Sequence, residues 1–469
     1  MFRRWHVSSM DSGRPVAIIG GGISGLSAAY ELHKRRIPFL LFERGKRLGG
    51  VIRTESVDGF TIDGGPDSLL IQKPAAIELC AELGLGDRLV STLPPRTAYV
   101  FKAGRLYPLP EASVLGIPTR LRPLATTPLL SAAGKVRMAM ELVTPASVSA
   151  EDESIGSFFR RRFGDESVTY LAEPLLAGIH AGDVERLSMR ALFPRLVSAE
   201  REHGSVIRRF RSLNRSTGRP KDGLFRSLPG GIGELTGALV GNLETTSIRT
   251  GQDVIRISGP SPFAVHAASG ETVQANQVIV TTPAYVTAKL VSGLDPELDA
   301  LCGSIPYTST ATVVLSYPKR SVAHHLNGTG FVVPKVESDL SLMAGSWVSS
   351  KWPGRAAEGQ VLLRGFVGGA RNANALDQTD AELVAAAHQD FSRLLGISGD
   401  PVITRVYRWP RLNPQYEVGH LKKLAKIDSR LANLPGLHIA GAGFRGVGIP
   451  DCVAQGRAVS ALVAGEMVA

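Results

Sequence analysis

The residues best placed to do chemistry stand in four glycine-rich turns. In the first, "GGGISG", Gly20, Gly22 and Gly25 form GxGxxG between an apolar run, Val16 to Ile19, and a stretch with Ile23, Leu26 and Tyr30 at helical spacing. Glu43 closes a second apolar run, "IPFLLFE", 18 residues after Gly25. Helix-end amides can hold a pyrophosphate there and the acid can bond ribose hydroxyls, so a dinucleotide is expected. The second turn, "RGKRLGGVIRTE", carries the doublet Gly49 and Gly50, which lets backbone approach a ligand closely, while Arg47 and Arg53 supply charge. The third, "GFTIDGGPDSLLIQKP", sets Asp63, Gly64 and Gly65 ahead of Pro66, Asp67, Ser68 and the lone Lys73. The fourth, "AGAGFRGVGIPDC", ends in Val447, Gly448 and Ile449 at the start of a closing helix. The positive end of that helix would stabilise an electron-rich ring edge.

Other chemistries are poorly supported. Cys80, Cys302 and Cys452 are far apart and form no CxxC spacing, so neither a disulfide nor a metal site is expected, and a reducing cytosol fits. Cys452 reads as a small buried apolar residue. The net charge of +11 is spread over clusters such as "HKRR", "RRRF" and "RRFRSLNRSTGRPK" without interleaved aromatics. That suits an anionic substrate or an acidic lipid surface and argues against nucleic acid.

These turns need elements to hold them. With 469 residues, 43% of them hydrophobic, the chain is long enough for two or three domains of α/β type. A nucleotide domain is expected in three parts, residues 13–96, 219–300 and 429–469, with a short-stranded meander ("DVIRISG", "FAVHAA", "QVIVTTPA") in the second. Residues 97–218 read as a helical, basic cap, and 301–428 as a second domain with a mixed sheet and a helix around Asp380 to Leu395. The start "MFRRWHVSSM" has no apolar signal core, and Met10 is an alternative first residue that would make the preceding nine an extension.

The glycine doublet after the acid resembles the second motif of the two-dinucleotide-binding flavoproteins, and this resemblance favours FAD over NAD. Together, "GGGISGLSAAYEL", "GGPDSL", "LAGIHAGDVERLSMRALFPRL", "PQYEVGHLKKL" and "AGAGFRGVGIPDCVAQGR" resemble the protoporphyrinogen oxidase family through nearly the whole chain. The fold this implies is a discontinuous, glutathione-reductase-like FAD-binding Rossmann domain with a mixed-sheet substrate domain and a helical cap, the amine-oxidase-like architecture. The implied activity is oxidation of a porphyrinogen to a porphyrin in haem biosynthesis. Six electrons leave in three rounds through non-covalent FAD, with oxygen as acceptor and hydrogen peroxide as product.

Family contacts to FAD carry over to Gly20, Gly21, Gly22, Ile23, Ser24, Gly25, Glu43, Arg44, Gly49, Gly50 and Val51. They continue at Gly65, Pro66, Asp67 and Ser68, at Val254 by its backbone near the adenine, and at Val447, Gly448 and Ile449. A substrate-facing carbonyl falls at Gly178, followed by His180 where an aromatic or aliphatic residue is expected. No side chain is nominated as catalytic, because the flavin takes the hydride and positioning is the catalysis. Enzymes resembling the mitochondrial type place an arginine after the "GP" of the third turn. Here Asp67 stands in that place with Lys73 behind it, as in bacteria that use the coproporphyrin route.

Coproporphyrinogen III is therefore the expected substrate, with Asp67 and Lys73 facing it, and protoporphyrinogen IX is the alternative. A flavin amine oxidase or carotenoid desaturase is a further reading, against which the lack of an aromatic cage beyond Phe444 argues. So is a non-enzymatic escort-type relative, against which the intact glycines and Glu43 argue. A cytoplasmic location is expected. Contact with the inner face of the membrane through "LGIPTRLRPLATTPLLSAAGKVRMAMEL" is left open, as is a transient haem-pathway enzyme partner.

Overall fold

A computed structural model describes residues 13–468 except 111–112, 119, 148, 150, 217–221 and 338. The expected extension before Met10 lies outside the described residues. Val16–Ile19 is buried along its whole length, as its unbroken apolar run requires of a central strand covered on both faces. It pairs in parallel with Phe39–Glu43 and with Val278–Val280. Ile248–Thr250 and Leu437–Ile439 add the two edges of a five-stranded parallel sheet. Its strands come from three distant stretches of sequence, so the first and last turns meet at one sheet end. Helix Ile23–Lys34 packs against the last helix, Ile449–Val468, and Ser460 Oγ donates to Ala28 O at 3.0 Å between them.

The second sheet is mixed and has seven strands. Their order is Ile403–Pro414, Tyr307–Pro318, Gln360–Gly368, Ala344–Trp347, Gly330–Val332, Ala98–Lys102 and Arg105–Pro108. All neighbours are antiparallel except Gly330–Val332 with Ala98–Lys102. Helix Asp380–Leu395 covers it, started by a capping box between Thr379 and Glu382, and buries Leu383, Ala387 and Phe391.

The cap differs from expectation at its beginning. The chain after Thr97 first makes the hairpin Ala98–Lys102 and Arg105–Pro108, which belongs to the mixed sheet. Ala103 and Gly104 both take positive φ, 48° and 80°, which suits the tight turn of a twisted hairpin. Helices follow, among them Ala132–Ala139, Ile155–Phe163, a π-helical stretch Val168–Ala177 containing Pro174, Pro194–His203 and Val206–Ser216. Phe158, Phe159, Phe163, Leu171 and Leu196 give this region its own core. Within it the fully buried Arg162 and Glu141 form an ion pair, and Glu141 also accepts from Ser205 Oγ and the Val206 amide. Among the described residues no helix is long and apolar enough to cross a membrane.

Candidate functional site

The first turn shows where a dinucleotide fits. A Cβ on Gly25 would lie 1.9 Å from Gly20 O, so only glycine lets the helix start against the strand end. A Cβ on Gly22 would meet nothing within 4 Å, and no side chain caps the helix. The first helical bond runs from Leu26 N to Gly22 O, which leaves the amides of Ile23, Ser24 and Gly25 as donors for an anion. Glu43 is aimed by backbone: its carboxylate accepts from Gly21 N at 2.8 Å and Gly45 N at 2.7 Å, with lone pairs remaining for ribose hydroxyls. The neighbouring Arg44 is exposed.

Gly49 N donates to Gly21 O at 2.8 Å, so the doublet of Gly49 and Gly50 closes over the first turn and delivers Val51 beside it. Gln252 N donates to Glu43 O at 3.0 Å, which starts the strand of the buried Val254 next to the acid. The open helix end, the oriented acid and the close glycines fit FAD. Arg47 and Arg53 carry their charge beside this turn while engaged by neutral groups. Arg47 donates to the carbonyls of Leu48, Gly50 and Ile52, and Arg53 lies over the Tyr407 ring at 5.1 Å.

The third turn is pinned from the mixed sheet. Arg364 donates to Asp63 O at 2.8 Å and Gly65 O at 3.0 Å, and Trp409 Nε1 to Gly64 O at 3.1 Å. A Cβ on Gly65 would lie 2.0 Å from Val51 O, so this turn packs directly on the second. Asp63 pairs with the buried Arg355 at 2.9 Å; burial raises its carboxyl above the ordinary range, and the Arg355 charge opposes that. Pro66 and Ser68 are half-buried, and Ser68 Oγ donates to Asp67 Oδ1 at 3.0 Å.

Asp67 requires a correction. The expectation has its carboxylate facing substrate, but it is buried and takes Lys351 Nζ at 2.9 Å, Trp352 Nε1 at 3.1 Å and Arg364 Nη2 at 3.2 Å. Burial opposes its charge, yet the Lys351 and Arg364 cations and the two donors outweigh this and hold the carboxyl well below the usual carboxylate range. Two cations and an indole thus engage the carboxylate within the protein.

Lys73 points the other way. Its Nζ reaches Asp451 in the first turn of the last helix at 2.7 Å, with half of its side chain exposed. Asp451 Oδ2 also accepts from Gly448 N at 3.2 Å, so the pair sits on the helix start formed by Val447, Gly448 and the buried Ile449. His180 lies close enough to feel Lys73: burial first, then the Lys73 charge, pushes its imidazole down to about 4. Its ring meets Phe193 edge-on at 6.0 Å, and its carbonyl accepts from Gln415 Nε2 at 2.9 Å. The exposed Gly178 ends the π-helical stretch, and its carbonyl accepts from Ala181 N at 3.1 Å. The third turn, the cap and the closing helix thus meet at Lys73, His180 and Asp451. Cys452 is buried and its thiol is pushed up to about 11 by that burial, which makes it unreactive.

Sequence reasoning missed Lys351, Trp352, Arg355, Arg364 and Trp409, all from the mixed-sheet region. One signal was available: Arg364 interrupts the apolar strand "VLLRGFVGG", and arginine is rarely buried unless paired.

Comparisons with known proteins agree with this geometry. The family profile described as flavin containing amine oxidoreductase matches residues 23–464. A coproporphyrinogen III oxidase of Bacillus subtilis is 38% identical over 96% of this chain and 97% of its own. A chloroplastic protoporphyrinogen oxidase of Arabidopsis thaliana is 31% identical over 93% of this chain and 85% of its own. The crystal structure of a candidate protoporphyrinogen oxidase from Exiguobacterium sp. superposes with a TM-score of 0.87 at 32% identity, covering 97% of this chain and 99% of that one.

Proposed function

The chain belongs to the flavin containing amine oxidoreductases, in their porphyrinogen oxidase branch, and from that premise we propose that it oxidises coproporphyrinogen III to coproporphyrin III in haem biosynthesis. Bound FAD supplies the two-electron acceptor for each of three rounds. Over the whole reaction six electrons and six protons leave the macrocycle, and three molecules of oxygen become three of hydrogen peroxide. Ile23, Ser24 and Gly25 would hold the pyrophosphate through their amides, and Glu43 would hold the ribose. Arg364 and Trp409 fix the carbonyls of the third turn so that its backbone keeps one shape during turnover. His180, pushed down to about 4 by burial and the Lys73 charge, is neutral at physiological pH and would add no charge beside the substrate.

The observation that carries this reading is the intact cradle: an uncapped helix end beside an oriented Glu43, in a chain with full-length porphyrinogen oxidase relatives. Lys73, half-exposed although paired with Asp451 at 2.7 Å, can offer its ammonium to a propionate, and the choice of the four-propionate substrate rests on the coproporphyrinogen III oxidase relatives. The test is turnover of both porphyrinogens in air, followed by porphyrin fluorescence and peroxide. Faster conversion of coproporphyrinogen III with about three peroxides per porphyrin is expected. Equal rates, or preference for protoporphyrinogen IX, would sink the substrate choice, and no porphyrin from either would sink the activity.

We further propose that the protein docks peripherally on an anionic bilayer. Val136, Met140 and Val143 are exposed along one side of the segment after Ser131, beside Arg208, whose guanidinium bonds Leu142 O at 2.7 Å. Sedimentation with phosphatidylglycerol vesicles, lost on Met140→Glu, is the expected behaviour; equal sedimentation of both proteins contradicts it.

A further inference from the structure

The pairing of strand Ile403–Pro414 with Tyr307–Pro318 is broken at one place. Thr310 faces Trp409 and Thr308 faces Asn413, so Pro410, Arg411 and Leu412 stand opposite Ser309 alone. Such a bulge redirects a side chain, and bulges concentrate next to active sites. Arg411 sits at its centre with φ of 46°, a left-handed conformation that side chains other than glycine rarely adopt. The strained backbone is held by Arg411 N donating to Ser309 Oγ at 2.9 Å.

The guanidinium is displayed rather than spent. It lies 3.9 Å from the centre of the Tyr285 ring, and Tyr285 is fixed edge-on against Tyr307, whose hydroxyl accepts from Ala284 N at 2.8 Å. Among the described residues no carboxylate pairs with Arg411, whereas Arg355, Arg364, Arg405, Arg408 and Arg430 each hold one. Stacking on a ring orients the planar fork and leaves its N–H edge free, which is the geometry that binds a carboxylate through two parallel bonds.

The position is also specific. On one side the bulge borders the cap loop: Thr308 Oγ1 donates to Ala181 O at 3.2 Å, Ala370 N donates to the same oxygen at 2.9 Å, and Gln415 reaches His180 O. On the other side the platform touches the closing loop, where a Cβ on Gly443 would lie 2.6 Å from the Tyr307 hydroxyl. Arg411 therefore stands between the loop of Gly178 and His180 and the segment that leads to Val447. We propose that Arg411 is a specificity-determining residue of the substrate site, a second cation besides Lys73, whose guanidinium binds a propionate of the macrocycle while Tyr285 holds it in place. The proposal rests on the porphyrinogen reading.

Arg411→Gly separates binding from folding, because glycine accepts the left-handed backbone and removes its strain. The FAD-loaded variant is expected to unfold no earlier than the parent. Its KM for coproporphyrinogen III should rise about tenfold with kcat within about twofold, as loss of a substrate contact requires. Arg411→Lys, which keeps the charge but loses the fork, should fall between the two. Binding is read separately from turnover by quenching of coproporphyrin III fluorescence: the dissociation constant should weaken about tenfold for the free acid and stay unchanged for its tetramethyl ester. Unchanged KM and unchanged porphyrin affinity in Arg411→Gly, with the parent active, would overturn the assignment. A parent that oxidises neither porphyrinogen would instead overturn the reading beneath it, and this proposal with it.

Discussion

Asp67 and Lys73 stand six residues apart on one turn, and each is half of an ion pair, yet the two pairs obey different physics. Asp67 is 6% exposed and shared between Lys351 and Arg364, while the Lys73 side chain is 51% exposed and among the described residues pairs with Asp451 alone. In the buried group each charge depends on the others, because removing one leaves the remainder desolvated and unpaired. In the exposed pair water can replace either partner, so the pair contributes little to stability and exchanges readily. The first arrangement fixes the shape of the turn, and under the proposed function the second would trade Asp451 for a carboxylate of the substrate. Asp67→Asn should therefore have the largest effect of the changes considered, destabilising by roughly 3–5 kcal/mol because Lys351 and Arg364 lose their counter-charge. Denaturant unfolding, followed by flavin absorbance and by circular dichroism, checks this. Lys351→Met added to Asp67→Asn should recover part of the loss, and an unchanged midpoint in Asp67→Asn would remove the distinction between the pairs.

His180 gives the exposed pair a pH signature of its own. Its folded pKa of about 4 lies below the ordinary value near 6.5, through burial first and the Lys73 charge second. Between those values the unfolded chain binds the proton more readily than the folded protein. The stability linked to His180 is therefore complete above about pH 6.5 and declines as the pH falls toward 4. The decline should be on the order of 1–2 kcal/mol, less than the shift alone would give because the half-buried ring is partly screened. Unfolding midpoints across this window, compared with His180→Gln, read it directly. Lys73→Ala removes only the second cause, so the slope should shrink without vanishing. A slope unchanged in His180→Gln would show that the histidine is not its source, and one unchanged in Lys73→Ala alone that His180 and Lys73 do not interact.

The same contrast explains what could be read before the fold was known. The cradle is built from backbone, and backbone packed so closely that a Cβ on Gly25 would lie 1.9 Å from Gly20 O forces glycine into the sequence, where it is visible. Glu43 is legible for a related reason, since it ends a strand whose apolar run is unmistakable. The destinations of Asp67 and Lys73 were not legible. Lys351 and Arg364 lie 284 and 297 positions away from Asp67, and Asp451 lies 378 from Lys73, so only the assembled sheets decide which acid meets which base. Arg411 escaped notice because its bulge depends on register with Ser309, which local pattern does not specify. The hairpin after Thr97 was hidden in a different way: its alternation is short and its turn residues are Ala103 and Gly104, so the helical stretch that follows dominates the reading.

The smallest effect on stability, and the most informative on binding, belongs to the exposed pair. Lys73→Ala and Asp451→Asn should each cost no more than about 1 kcal/mol, and less in high salt, because the charges are already shared with water. Their effects on substrate should have opposite signs. Without Lys73 the four-propionate substrate loses a cation, and its KM should rise about threefold to tenfold with little change in kcat. Without the Asp451 charge, Lys73 is released from its competitor, and the same KM should fall about twofold. A pair that served only to tether the third turn to the last helix would behave otherwise, since breaking it from either end loosens the same contact. Both variants would then raise KM and shed flavin together. Opposite shifts in KM, with flavin retained, are therefore the signature of a lysine that passes from one carboxylate to another.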